Sequence, residues 1–420
     1  MHTHYDLIVA GGGMAGVGAA LSAAREGLSV LLFDKHNCLG GAAVGSLVNP
    51  FMPYWTEDPI TNERVYLIKG IFAEIREKLM TIAPGVMPDD AYFNEEYLKL
   101  ILNRLLLEAG VTLLFHSYLI DTEVMDGVVK SVTVANKSGK QTYTAPLFVD
   151  ATGDGDLAVM AGCPYHLGRD SDHLCQPMTL CFRIANVDMP RYHEQFDAFQ
   201  ALYKDYLAAG KLRNIRENIL IFTPPVKGVL HFNSTRIIKH CPVDAAEVTA
   251  AEIEAREQAF ELFNFLKDHF DAFRNSEMLV TASEIGVRES RMIEGDYCLT
   301  QEDLIACTHF EDGITRGNYD IDIHNPAGSD TSHYYFAPGD YYTIPYRCLT
   351  PRNTRNLLVA GRCISSTHEA QASYRIMPIC CNIGEAAGTA AAMALEKGGD
   401  VRAVDVSQLR QRLNEKGMLV

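Results

Sequence analysis

The chain has 420 residues, a formal net charge of −16 and a pI of about 5.3. So acidic a surface repels phosphate backbones and anionic membranes, which excludes nucleic-acid binding and leaves room only for a locally basic pocket. Its eleven cysteines include no C-x-x-C pair, so neither a disulfide framework nor a zinc or iron–sulfur site is expected, and the chain reads as a reduced, cytoplasmic protein.

The length predicts two domains, or one large α/β domain with an inserted second one. "YDLIVA", residues 5–10, reads as a short buried strand of a parallel sheet. Glycines follow at once, then "VGAALSAAREG" reads as a helix with a small-residue face that Gly27 stops. "LSVLLFDK", 28–35, is a second buried strand, completing a βαβ-type start. That start leaves no space for a signal peptide, and no apolar run of about 18 residues predicts a membrane span.

Residues 51–91 lose this rhythm, apart from an amphipathic helix near 66–80. "NEEYLKLILNRLLLEAG", 94–110, is a helix with Asn94 as N-cap and Gly110 as stop. "VTLLFHS" is a strand, and 118–145 alternate around Gly127 and Gly139 as an antiparallel meander does. "APLFVDATG" returns to a buried strand. Residues 171–334 change character, with β-rich stretches at 178–187 and 228–240, a helix at about 245–273, and loops elsewhere. From about 341 the α/β pattern returns, with "NLLVAGR" as strand and a helix from about Cys381.

The expected fold class is α/β: a Rossmann-like domain, a parallel sheet with a small antiparallel meander, plus an inserted α+β cap. The first domain takes 1–50, 92–170 and 335–420; the cap takes 51–91 and 171–334.

Gly11, Gly13 and Gly16 form G-x-G-x-x-G between a strand and a helix. Gly11 permits the turn, Gly13 lets backbone approach a pyrophosphate, and Gly16 lets the helix pack closely. The helix start, at Met14 and Ala15, offers amide donors to phosphates. Asp34 ends the second strand, where a carboxylate accepts from a ribose diol, with Lys35 beside it. Gly40, Gly41 and Ala42 then bring the chain back beside the dinucleotide, which suits a flavin built in along its whole length. Gly153 and Asp154 stand in a turn after another strand. No second fingerprint follows, so the electron donor or acceptor is expected to be external.

The blocks "DLIVAGGGMAGVGAA", "LGGAAVGSLVNPFM", "VDATGDGDLAVMAG", "GVRESRMIEGDYCLTQEDL" and "YYTIPYRCL…NLLVAGRCISSTHEAQASYRIMPICCNIGEAAGTAAA" cover most of the chain. With them the chain resembles the FAD-dependent oxidoreductase family whose FAD domain is of the glutathione-reductase type, related to fumarate reductases and other flavin dehydrogenases. The resemblance implies non-covalent FAD between that domain and a cap. It also places Gly361, Arg362 and the helix start at Cys381, Asn382 and Ile383 near the flavin. Many related flavoproteins carry an acid at position 362, so the arginine here is a departure.

"STHEAQASYRIMP", 366–378, mixes charges with small residues and is read as a loop at the flavin rim. His368 is the expected proton carrier, since imidazole titrates near neutrality. Arg375 holds a substrate carboxylate or carbonyl, or counters the charge of reduced flavin, with Glu369 as its counter-charge; alternatively, both His368 and Arg375 only pin the loop. Arg288 and Arg291, three apart on a presumed helix, form either an anion clamp or a structural ion-pair network. His324, with Asp322 in a cap loop, is a second acid–base candidate. The histidines show no metal-ligand spacing, so no metal is expected.

The reading is an FAD-dependent oxidoreductase moving a hydride between flavin N5 and a small polar substrate (carboxylate, keto or sugar-like). The alternatives are a flavin monooxygenase or halogenase-like enzyme, and a non-catalytic FAD-binding protein.

Overall fold

The computed structural model describes residues 2–420. Its central sheet is parallel and five-stranded, in the order Leu357–Val359, Leu147–Asp150, Leu7–Ala10, Val30–Phe33, Thr112–Leu114. Leu7 stands opposite both Val30 and Leu147. The four strands from Leu357–Val359 to Val30–Phe33 are buried at every position, which is why they read as continuous apolar runs rather than alternating ones.

Helices Met14–Arg25 and Met377–Leu395 pack against one another beside this sheet. Glycine notches set their distance. A Cβ on Gly384 would lie 1.9 Å from the Ala15 carbonyl oxygen, and one on Gly388 2.1 Å from that of Ala19. The meander forms as expected, with strands Tyr118–Met125, Val128–Asn136 and Gly139–Thr144.

The inserted region has its own four-stranded antiparallel sheet, in the order Ile221–Phe222, Leu230–Phe232, Phe182–Ala185, Glu277–Thr281. Helices Met189–Ala208 and Ala245–His269 supply the rest of a separate core around Phe182, Phe199, Tyr203, Phe232 and Leu266. The rings of Phe182 and Phe232 stack at 4.7 Å.

The structure departs from the sequence expectations in five places. Residues 189–208, read as loop, form a helix; Asp188 caps it, accepting from the Arg191 amide, and only Tyr192, Phe199 and Tyr203 are buried, so its apolar stripe is thin. The helix expected near 66–80 runs from Ile71 to Ile82. It turns Phe72, Ile75 and Leu79 into the larger core with the parallel sheet, so part of 51–91 packs there rather than with the cap. Residues 282–290 are not helical, because Arg288 lies in an extended crossing between two strands. His324 ends a strand of a hairpin, Ile321–His324 with Thr331–Tyr334, rather than sitting in a loop. The stretch 366–378 is mostly helical, His368–Tyr374, capped by Thr367, and the next helix starts at Met377 rather than Cys381.

Candidate active site

Between the first strand and first helix, Gly11 has φ of +100°, and a Cβ there would lie 2.4 Å from the Ala151 carbonyl oxygen. A Cβ on Gly16 would lie 1.8 Å from the Gly11 oxygen, so this glycine serves helix–turn packing. Gly13 differs: the nearest atom to its Cβ position is the Gly41 Cα, 4.0 Å away. Space is left in front of its backbone. Gly13 and Gly41 thus lie against each other on the wall of a cleft of about 230 Å³.

Gly11, Gly13, Met14, Ala15, Asp34, Lys35, Gly40, Gly41, Ala42, Gly153, Asp154, Gly361 and Arg362 line this cleft. Gly16, Cys381, Asn382 and Ile383 do not. Met377 and Cys380, on the first turn of the long helix, take the place expected of the last three. Burial pushes the Cys380 thiol up to about 12, so it stays protonated at neutral pH.

Asp34 closes one end. One carboxylate oxygen accepts from the Gly12 amide; the other accepts from the His36 amide and ring Nδ1, each at 2.7 Å. His36 Nε2 reaches Glu284 at 2.8 Å, which ties this end to the crossing segment. Burial lowers the His36 pKa, but the two carboxylates outweigh it and push it up to about 9, so the imidazolium persists at neutral pH.

At the other end Arg362 donates to the Asp154 carboxylate at 3.1 Å and to the Val287 carbonyl at 2.8 Å. The guanidinium lies so close over Gly153 that a Cβ there would be 2.6 Å from its Nη2. Asp154 therefore supplies a carboxylate beside position 362. The glycine cradle, the helix start behind it and the acid at the second strand's end together fit a dinucleotide.

A second cavity, of about 380 Å³, adjoins the first and shares Ala42, Val287, Arg362, Arg375 and Met377 with it. Of the expected residues, Arg288, Arg375 and His324 line it. Arg288 donates to the Pro177 carbonyl at 2.6 Å, to Thr179 Oγ1, and to Asn233 Oδ1 at 3.3 Å. Burial, with Arg375 and Arg216 nearby, lowers it to about 9, still charged at neutral pH.

Asp322 is the hub. It contacts His324 Nε2 at 3.2 Å and Arg375 Nη2 at 3.4 Å, and accepts from the Tyr319 hydroxyl at 3.1 Å. Burial opposes its ionisation, but His324, Arg375 and Arg288 hold it below the ordinary carboxylate range. Burial and the Arg288 charge lower His324 to about 3, so it is neutral at neutral pH. Its Nε2–H then faces Asp322, and Nδ1 accepts from the Thr331 hydroxyl at 3.2 Å. Burial raises Tyr319 well above its usual value, so it keeps its proton.

His368 lines neither cavity. It is buried, its Nδ1 2.7 Å from Glu289 Oε1, and Glu289 also accepts from the Gln176 amide at 2.7 Å. Arg291 lies outside both cavities too, paired with Asp156 at 2.8 Å and bonded to the Asp154 carbonyl at 3.1 Å, as the ion-pair alternative has it. Asp322 rather than Glu369 neutralises Arg375. Sequence reasoning missed Arg216, Asn233 and Tyr319, which also line the second cavity. Nothing in their local sequence sets them apart; only the fold converges them.

The model of the FAD dependent oxidoreductase family matches residues 6–413, and the chain belongs to that family. It is an oxidoreductase, and its cofactor is FAD. The chain is 27% identical over 163 residues to a digeranylgeranylglycerophospholipid reductase of Methanocella arvoryzae, covering 36% of this chain and 40% of that protein. Among solved structures, it is similar to a geranylgeranyl bacteriochlorophyll reductase-like protein from Thermoplasma acidophilum. The TM-score is 0.47 and the identity 13%, over 98% of this chain and 82% of that one. A p-nitrophenol 4-monooxygenase from Pseudomonas putida gives 0.49 and 10%, over 99% and 87%. No helix among the described residues is long and apolar enough to cross a membrane.

Proposed function

We propose that the chain is a dehydrogenase or reductase of a small polar substrate, working with an external electron partner. The observation that carries this is the shared wall of the two cavities: a ligand in the second lies against the same Arg375 and Met377 that face the first. FAD, held non-covalently in the first cleft, supplies the hydride acceptor or donor. Gly13 and Gly41 admit it, Asp34 takes its ribose, and the helix start at Met377 faces its far end.

The chain's own contribution is orientation and proton handling. Arg288 and Arg375 fix a polar group of the substrate. Asp322 holds His324 in one tautomer, and Nδ1 exchanges a proton with the substrate through the Thr331 hydroxyl to which it is bonded. His324 is lowered partly by Arg288 and Arg375. A negative group bound between those arginines offsets their charge, so substrate binding raises the His324 pKa back toward its ordinary value. This assigns the proton to His324 in place of His368.

The reading is tested by mixing anaerobically reduced enzyme with oxygen in a stopped-flow instrument. A single-phase return of the oxidised flavin spectrum is expected. A distinct spectrum preceding reoxidation overturns the dehydrogenase reading in favour of a monooxygenase or halogenase.

A further inference from the structure

We propose that the second cavity recognises a carboxylate of its ligand, with Arg216 as the anchoring charge; this rests on the reading of that cavity as the substrate site. Arg216 is 5% exposed and lines the cavity. Among the described residues its guanidinium makes no hydrogen bond or ion pair with any protein group, and its buried Nε has no partner. An unpaired guanidinium out of water is costly, which is why such groups are ordinarily paired.

The neighbouring Arg236 shows the ordinary solution. It is 2% exposed, and although its Nε too has no partner, its terminal nitrogens donate to Glu217 at 3.2 Å and to the Asp330 carbonyl at 2.7 Å. Glu217 is the acid adjacent to Arg216 in sequence, yet its ion pair goes to Arg236. Arg216 is left facing the cavity.

Two of the other three guanidiniums of the wall agree. Arg288 is satisfied by two neutral side chains and a carbonyl, with no carboxylate among its partners. Arg375 touches Asp322 only at 3.4 Å, and its Nε is also without a partner. The cavity wall thus carries four guanidiniums, of which Arg362 is paired with Asp154, and of its two acids Glu217 is engaged by Arg236 and Asp322 by His324, Arg375 and Tyr319. Leu220, Phe222 and Met52 line part of the remainder beside Asn218, Thr331 and His333, so the ligand is a small organic anion.

The test uses FAD-loaded enzyme and calorimetric titration with malonate and its neutral isostere malonamide, at matched ionic strength. Malonate is expected to bind, and malonamide at least about tenfold more weakly. Arg216→Gln is expected to weaken malonate binding by about tenfold or more, and Arg216→Lys to restore part of it, with FAD content unchanged in both. Should Arg216→Gln not fold, Asn233→Asp decides. It is isosteric, puts a carboxylate against Arg288, and is expected to weaken malonate severalfold.

Equal binding of malonate and malonamide, or unchanged malonate binding in the deciding variant, overturns the proposal. An enzyme that passes this test but fails the oxygen test keeps its carboxylate site and loses only the dehydrogenase reading.

Discussion

In the first cleft, glycines at 11, 13, 40, 41, 153 and 361 put backbone on the lining, whereas in the adjoining cavity Arg216, Arg288, Arg375 and Asp322 put charge there. The first is written largely in short contiguous motifs. The second is gathered from segments around 48–52, 179–181, 216–222, 286–288, 319–333 and 375–377. A glycine site is intolerant of added atoms but nearly indifferent to charge; an arginine site is the reverse. That difference can be attacked directly.

The largest effect is expected where cleft geometry and fold coincide. Gly11→Val puts side-chain atoms into the Ala151 carbonyl at a left-handed φ, and is expected to cost more than about 3 kcal/mol, seen as loss of cooperative unfolding by circular dichroism. Gly13→Ala separates the two roles. Its φ of −67° suits alanine and its Cβ meets nothing closer than 4.0 Å. The apoprotein should keep its thermal midpoint while FAD affinity falls by about a hundredfold, read from the flavin-to-protein absorbance ratio. A parallel fall in both, or in neither, breaks the comparison.

Glu385 sharpens it from the other side, as a titrating acid buried in the small-residue half. Burial raises it to about 7, although it accepts from the Ile71 amide at 2.8 Å. Its folded pKa lies above the unfolded one, so the folded state holds its proton more tightly. The stability it contributes is therefore complete at low pH and lost as pH rises from the ordinary glutamate range through about 7. Glu385→Gln is expected to flatten this dependence and raise stability by ~2 kcal/mol at pH 8, measured as thermal midpoint against pH.

The smallest effect is expected at His36, where charge enters the cleft. Its folded pKa of about 9 exceeds the unfolded value of 6.5, so its ion-pair contribution is full below pH 6.5 and lost as pH rises through 9. His36→Gln should remove that pH dependence of stability and weaken FAD by about two- to fivefold.

This contrast also explains what the sequence could tell. The parallel strands, the meander, the Asn94-capped helix and the glycine cradle are local patterns, and each formed where expected. The helix at 189–208 was hidden because only three of its side chains are buried at the core. The stretch 366–378 misled because small residues among charges suit a helix packed on a neighbour as well as a loop. His368 shows what the local pattern leaves out. A histidine near the cofactor region in sequence spends its ring on Glu289, while His324, from a hairpin some forty residues earlier, faces the substrate cavity. Which way a side chain points depends on what packs around it, and no spacing rule encodes that.

The extended crossing from Glu284 to Arg288 serves both cavities. Glu284 and Ile285 face the cofactor, Val287 faces both, and Gly286 and Arg288 face the substrate side. One short run thus forms a common wall. For anyone altering this enzyme's substrate choice, that wall is a poor place to begin, because Glu284, Ile285 and Val287 in it line the first cleft. The segments 216–222 and 319–333 touch only the substrate cavity. They are where a new specificity could be introduced without disturbing the cofactor.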